Sequence, residues 1–280
     1  MIFADLGLAR RLEGLVCAEF RRLAEVAGAA LPGRQAARLE VAGGVALWLG
    51  EGSPVNQAVG QGMAGPVDDD DMDSLEAFYH GRGADAVASI SPFADPSFVA
   101  ALGRRGWRAT EFEHLLVRGL DEVALPAGLA TRLDVRVCTP GERPAWSRVA
   151  SLGFADGGSP GQGQDEFGLI MAAREEAVLV LAWVGGQPAG TGALVIDGGV
   201  GWLSGDSTLP QYRGRGVQQA LQSLRLRLAA EAGCDLAVTE ATPGGTSQRN
   251  MERLGFRIAY THTEFAKPVR ATEAGAASGR

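Results

Sequence analysis

The segment FVAALGRRGWRATEFEHLLVR, residues 98–118, can be laid on NMERLGFRIAYTHTEFAK, residues 250–267. Each reads as a short helix, a glycine turn (Leu-Gly-Arg-Arg-Gly-Trp in one, Arg-Leu-Gly-Phe in the other) and a strand. Earlier in each half, VNQAVGQGMAGPVDDDDMDSLEAF (55–78) occupies the place of GWLSGDSTLPQYRGRGVQQALQSL (201–224). Halves that close in the same way confine the chain to two related α/β units, read as diverged copies. A length of 280 residues suits two domains, because single cores usually stop growing at roughly 100–200 residues.

Periodicity fills in the units. From Asp5 to Ala29 the residues Leu8, Leu12, Leu15, Val16, Phe20, Leu23 and Val26 recur at helical spacing, and Pro32-Gly33 ends the run. Strands are predicted over 37–41, 45–49 and 55–59, with Gly43-Gly44 as a hairpin turn, then a helix over 73–80, a strand over 85–90, a helix over 96–105 and a strand over 109–118. The second half repeats the order: strand 133–137, helix 142–152, glycine-rich loop 157–163 and helix 165–173. Strands 177–184, 188–196 and 200–208, helix 214–232, strand 235–240, helix 247–254 and strand 257–265 follow. The expected organisation is a first domain over 1–119, a linker over 120–131 around Pro126 and Gly128, a second domain over 132–267 and a disordered tail over 268–280.

Composition excludes several functions. The net charge is −7, the acidic excess lies in the first half, and no Lys/Arg cluster offers a binding surface to phosphate backbones. Nucleic acid and anionic membranes are therefore not expected as partners. Cys17, Cys138 and Cys234 are far apart and read as buried thiols; with His80, His114 and His262 they form no metal motif, so no metal is expected. Early charges at Asp5, Arg10 and Arg11 argue against a signal peptide, and the apolar run 177–184 is too short to span a bilayer. The expectation is a soluble cytoplasmic protein.

The segment Pro210-Gln211-Tyr212-Arg213-Gly214-Arg215-Gly216-Val217 carries the most chemistry. It follows a predicted strand and opens a helix whose Val217, Leu221, Leu224 and Leu228 share one face. Gly214 and Gly216 let a ligand approach backbone N–H groups that lack helical partners. The helix dipole, Arg213 and Arg215 add positive charge, so a pyrophosphate suits the site.

Gln211-x-x-Gly214-x-Gly216 resembles the Q/R-x-x-G-x-G/A loop with which GNAT acyltransferases hold the pyrophosphate of acyl-CoA. Ser247, Glu252, Gly255 and Phe256 resemble the family's later motif, a short helix ending in Gly-Phe, and the likeness covers residues 132–267. The resemblance implies a mixed α/β (α+β) fold of two GNAT-like domains, each a central mixed β-sheet flanked by helices, the first degenerate and the second catalytic. It implies acetyl-CoA as cosubstrate and direct N-acetyl transfer to a small-molecule amine. The donor-site residues it assigns are Thr208, Leu209, Gln211, Tyr212, Arg213, Gly214, Arg215, Gly216, Val217, Ser247 and Asn250. Pantetheine would lie between strands 200–208 and 235–240, with an N–H near Leu209 polarising the thioester carbonyl.

For the proton transfers the sequence departs from the family. Trp202 stands where many members have Glu, Met251 where they have Tyr, and Gly244 where they have Asn. Asp206 is a candidate base acting through water, Glu240 at a strand end a second, and Ser247 or Tyr260 a donor to the thiolate. Three of the assigned residues have a plainer alternative: Asp206 as a strand-end residue, Ser247 as a helix cap, Asn250 as an exposed helix residue. An acyl-CoA-binding or scaffolding protein, or transfer of another acyl group, are the rival functions.

Gly60-Gln61-Gly62-Met63-Ala64-Gly65 matches the dinucleotide-binding pattern G-x-G-x-x-G, but Pro66 and the carboxylates Asp68 to Asp71 follow where phosphate would sit. That acidic stretch reads as a solvated helix entry, and the first half as having lost donor binding. The acceptor is expected where the domains meet, or under loop 157–163, which reads either as a lid or as a plain surface connection.

Overall fold

Helix α1 (Leu6–Ala30) starts where Asp5 caps it, accepting a hydrogen bond from the Leu8 amide at 2.8 Å. Its stripe of Leu12, Leu15, Phe20 and Leu23 is buried, each side chain contributing about 1.5–3 kcal/mol of hydrophobic stabilisation. The computed structural model describes residues 2–120 and 133–269. The expected linker beyond Leu120 and the tail from residue 270 lie outside the described residues.

The first half continues with β1 (Ala37–Val41), β2 (Gly44–Trp48), β3 (Ala58–Val59), α2 (Asp69–His80), β4 (Ala86–Ile90), α3 (Pro96–Arg104) and β5 (Arg108–Gly119). The β1–β2 turn is Ala42-Gly43 rather than Gly43-Gly44, both residues having positive φ (52° and 78°). Helix α2 begins four residues before the predicted start. Asp68 caps it in a reciprocal capping box with Asp71, so the acidic run forms its first turn, where carboxylates favour the helix dipole.

The second half comprises β6 (Asp134–Val137), α4 (Arg143–Phe154), α5 (Gln162–Ala173), β7 (Val178–Val184), β8 (Gln187–Asp197), β9 (Val200–Thr208), α6 (Val217–Glu231), β10 (Leu236–Ala241), α7 (Thr246–Arg253) and β11 (Arg257–Lys267). The predicted order is present throughout, and the fold is mixed α/β. Helices α1, α4 and α5 cover one sheet face, where Leu12, Phe20, Trp146 and Met171 meet Leu115, Leu181 and Val238. Helices α2 and α3 cover the other face over the first half, and α6 and α7 over the second.

The sheets of the two halves are one. Eleven strands run in the order β1-β2-β3-β4-β11-β5-β10-β9-β8-β7-β6. The last strand of each half pairs antiparallel with the other half: β11 with β4, β5 with β10, and β5 with β11 at the centre. Only β3–β4 and β9–β10 are parallel, one such pair in each half. Across the layers, the buried Arg174 binds both carboxylate oxygens of Glu19 on α1, joining the halves a second time.

Candidate functional site

Strands β9 and β10 pair only from Leu236↔Val200 to Val238↔Trp202, although β9 continues to Thr208 and β10 to Ala241. Beyond that point they part. A cavity of about 510 Å³ occupies the region, walled by Gly153 of α4 on one sheet face and Val217 to Gln219 of α6 on the other. It is thus bordered from both sheet faces at the end of β9, and its lining includes no residue of β10 (Leu236–Ala241), Glu240 among them.

The cavity meets the start of α6, where no side chain caps the first turn and no acidic residue lies in it. Gly214 and Gly216 have φ of 73° and 80°, and a Cβ at either would cost about 1–2 kcal/mol in this left-handed region. This backbone presents unpaired helix-terminal N–H groups and a dipole to an anion, so the loop fits a pyrophosphate.

Of the expected donor-site residues, Thr208, Tyr212, Arg213, Gly214, Gly216, Val217 and Asn250 line the cavity; Leu209, Gln211, Arg215 and Ser247 do not. Four of the assigned residues are engaged in other contacts. The Leu209 amide donates to the Ala189 carbonyl at 3.0 Å, so it is not free for a thioester oxygen. Arg213 lines the cavity and binds Asp156, and Arg215 lies 5.6 Å from the centre of the Tyr212 ring. The Ser247 hydroxyl accepts from Gln218 Nε2 at 3.2 Å, while Asn250 Nδ2 donates to Gln218 Oε1 at 2.7 Å. Ser247 thus braces α7 against α6. Gln218, Gln219, Thr246 and Arg253 also line the cavity and escaped sequence reasoning, since none belongs to a local pattern.

Asp206, the expected base, lines the cavity and is paired with a buried arginine. Both its oxygens are held by Arg225, whose side chain is 0% exposed and also donates to the Ala193 and Ser204 carbonyls at 3.0 Å. The pair pins an irregularity in the β8–β9 register between Thr191 and Ala193, opposite Gly205 with φ of 63°. Gly192 is required there, because a Cβ would lie 2.6 Å from the Arg225 guanidinium carbon. Trp202 and Met251 are buried core residues.

Tyr260, expected as a thiolate donor, is likewise engaged elsewhere. It is buried under α1, donates to Glu13 Oε1 at 2.9 Å, and its pKa is driven far above the ordinary value by burial and by Glu13. Glu240 is placed differently. It lies two residues past the last β9–β10 pair, on the face that carries Leu236 and Val238, and its side chain remains 30% exposed. Burial among neighbouring strands, then Glu113, push its pKa up to about 8 against the opposing pull of His262. His262 Nδ1 is 3.8 Å from Glu240 Oε1, and its Nε2 donates to Glu13 at 2.7 Å. Burial disfavours the imidazolium, but Glu13, Glu240 and Glu113 outweigh it and raise the His262 pKa. Glu113, paired with His262 across β5 and β11, is raised by crowding, against the pull of His262 and with added repulsion from Glu111 and Glu264. A carboxyl group poised near neutral pH beside parted strands is equipped to take a proton.

Loop 157–163 is anchored at its far end: a Cβ on Gly163 would lie 2.2 Å from the Gly52 carbonyl carbon, and Arg34 binds Glu166. Among the described residues no helix is long and apolar enough to cross a membrane, and no group of three or more His, Cys, Asp or Glu side chains could hold a metal. None of the three cysteines is in a disulfide; Cys17 and Cys234 are buried and Cys138 is half-buried.

Residues 144–256 match the Acetyltransferase (GNAT) family. The matched GNAT domain lies within the second half of this chain. No curated protein matches the sequence at a significant level. The GCN5-related N-acetyltransferase from Kribbella flavida shares the fold with a TM-score of 0.61 at 21% identity, over 88% of this chain and 95% of that one. A GCN5-related N-acetyltransferase from Sphaerobacter thermophilus aligns with a TM-score of 0.56 at 20% identity, over 67% of this chain and 61% of that one. This chain thus spans less than two thirds of the Sphaerobacter protein. A tandem GNAT protein from the clavulanic acid biosynthesis pathway aligns with a TM-score of 0.55 at 15% identity, over 82% of this chain and 80% of that one. The GNAT fold therefore extends beyond the matched segment, and the first half fits a degenerate copy.

Proposed function

We propose that this protein is an N-acetyltransferase that binds acetyl-CoA in the second half, residues 132–267, and transfers the acetyl group directly to an amine of a small molecule. The first half, residues 1–119, is read as a degenerate unit that supplies part of the acceptor side. The observation that carries the reading is the cavity at the end of β9, with an uncapped helix N-terminus bordering it and Glu240 beside the parted strands. The Gly214 to Val217 backbone holds the pyrophosphate, and the β9–β10 gap takes the pantetheine. Glu240 accepts the proton of the acceptor ammonium, the free amine attacks the thioester carbonyl, and collapse of the tetrahedral adduct releases CoA as thiolate.

A second reading, a non-catalytic acyl-CoA-binding protein, draws on the buried Trp202 and Met251 at positions where the family carries Glu and Tyr. Incubation with acetyl-CoA and a mixed panel of primary amines separates the two. Amine-dependent release of free thiol supports the enzyme; stoichiometric CoA binding without thiol release supports the binder. Propionyl-CoA and longer donors in the same assay rank the acyl group.

A further inference from the structure

Glu13 belongs to the first helix of the chain, 249 residues from His262, yet one carboxylate oxygen accepts from both Tyr260 Oη at 2.9 Å and His262 Nε2 at 2.7 Å. Glu13 is 3% exposed and His262 3%, so neither is a surface group paired by chance. With Nε2 donating to Glu13, the other imidazole nitrogen is turned toward Glu240. A buried carboxylate that accepts from one ring nitrogen fixes the orientation of the imidazole and so where its other nitrogen points. We propose that Glu13 is a positioning residue for the acyl transfer: it holds His262 with Nδ1 facing the Glu240 carboxylate, so that the first half of the chain completes the proton-accepting group of the second. This rests on the reading of Glu240 as the base.

The groups that face one another come from four elements. Glu240 (β10) faces Glu113 (β5), His262 (β11) and Glu13 (α1). His262 faces the same three carboxylates. Glu113 has Glu111 and Glu264 as further neighbours. Glu13 acts in addition on Tyr260 and Cys17, and it borders a cavity of about 400 Å³ that Arg10 and Arg21 also line.

The sign follows from these neighbours. Glu13 favours the protonated form of His262, and that form favours the ionised form of Glu240, opposing burial and Glu113. Replacing Glu13 by Gln removes a remote repulsion on Glu240 but also weakens the protonated form of His262, which is the larger influence on Glu240 of the two. Glu240 then holds its proton to higher pH.

The test titrates the full-length protein, labelled with carbon-13 and nitrogen-15 at His and Glu, by NMR with no ligand. In Glu13→Gln, His262 should titrate about one pH unit lower and Glu240 about one unit higher than in the parent. Glu13→Asp, which keeps the charge and shortens the reach, should fall between the two. Tyr260→Phe, which removes one hydrogen bond to the same Glu13 oxygen but keeps the ring packed edge-on against the imidazole, should move both midpoints less than Glu13→Gln does. In the amine-panel assay, thiol release from acetyl-CoA by Glu13→Gln should fall about tenfold at neutral pH and recover to within about twofold in alkali. Unchanged midpoints in a folded Glu13→Gln, or a loss equal at every pH, overturn the proposal; if Glu13→Gln does not fold, unchanged midpoints in Glu13→Asp do so. If the parent releases no thiol with any amine, the acyltransferase reading fails, while the NMR arm still decides whether Glu13 sets the two titrations.

Discussion

The Asp95 amide donates to the Gly62 carbonyl at 2.9 Å, closing the gap beyond the short β3–β4 parallel pair of the first half. The corresponding gap of the second half, beyond Trp202 and Val238, is open to the 510 Å³ cavity. A Cβ on Gly62 would stand 3.2 Å from the same amide, so the approach has no room for pantetheine. The first-turn N–H that an anion would need at α2 is taken by the Asp68–Asp71 capping box. Calorimetry with CoA should therefore report one site per chain, and two sites of similar affinity would contradict this account.

Gly214→Asp places a carboxylate and a strained left-handed residue at the cavity wall, where φ is 73° and open space surrounds the missing Cβ. With no neighbour to clash with, the cost to folding should stay near the ordinary left-handed penalty of about 1–2 kcal/mol. CoA binding should be lost while the circular dichroism spectrum and a cooperative melt are kept. Undiminished affinity in the folded variant would remove the loop from the donor site.

Glu240→Gln should lower kcat/KM about 10²–10⁴-fold, equivalent to about 3–5 kcal/mol in the barrier, with CoA affinity preserved. In the parent, kcat/KM should rise with pH through about 8, as Glu240 loses its proton. The Gln variant should lack that limb and follow the acceptor amine alone. A parent profile that is flat from pH 6 to pH 9 would show that another group accepts the proton.

Glu19→Gln leaves the Arg174 guanidinium buried against α1 with only Glu176 as a carboxylate partner. Unpairing a buried ion pair from one side costs about 3–5 kcal/mol, so denaturant unfolding should show a loss of that order. Because the pair joins α1 to the turn after α5, both halves should unfold together at the lower midpoint. A change under about 1 kcal/mol would show that solvent reaches Arg174.

The helix and strand order, the mixed α/β class and the left-handed glycines of the α6 loop are legible along the chain, because each is decided by neighbours a few residues away. Val217, Leu221 and the uncapped first turn of α6 need no distant partner to be read. Asp206 shows where this reasoning stops: its place at the end of a predicted strand is legible, but the Arg225 that occupies it is not, since that contact depends on how α6 lies against the sheet. The sequence offers Tyr260 as a thiolate donor and Glu240 as a second base, and packing under α1 separates them, burying one and leaving the other beside parted strands.

The sequence by itself determined two alternating α/β units, an anion-binding loop in one and an acidic helix start in the other. Only the tertiary structure decided that β5 and β11 would each pair across to the other unit, and so that Glu13, Glu113, Glu240 and His262 would meet. The physical reason is that apolar alternation tells a strand which face to bury but not which edge to pair with. The two closing strands follow the same pattern, so either sheet offers each of them a ladder. The choice is made by the whole assembly of layers, with α1 covering the junction from residues that no local signal connects to it.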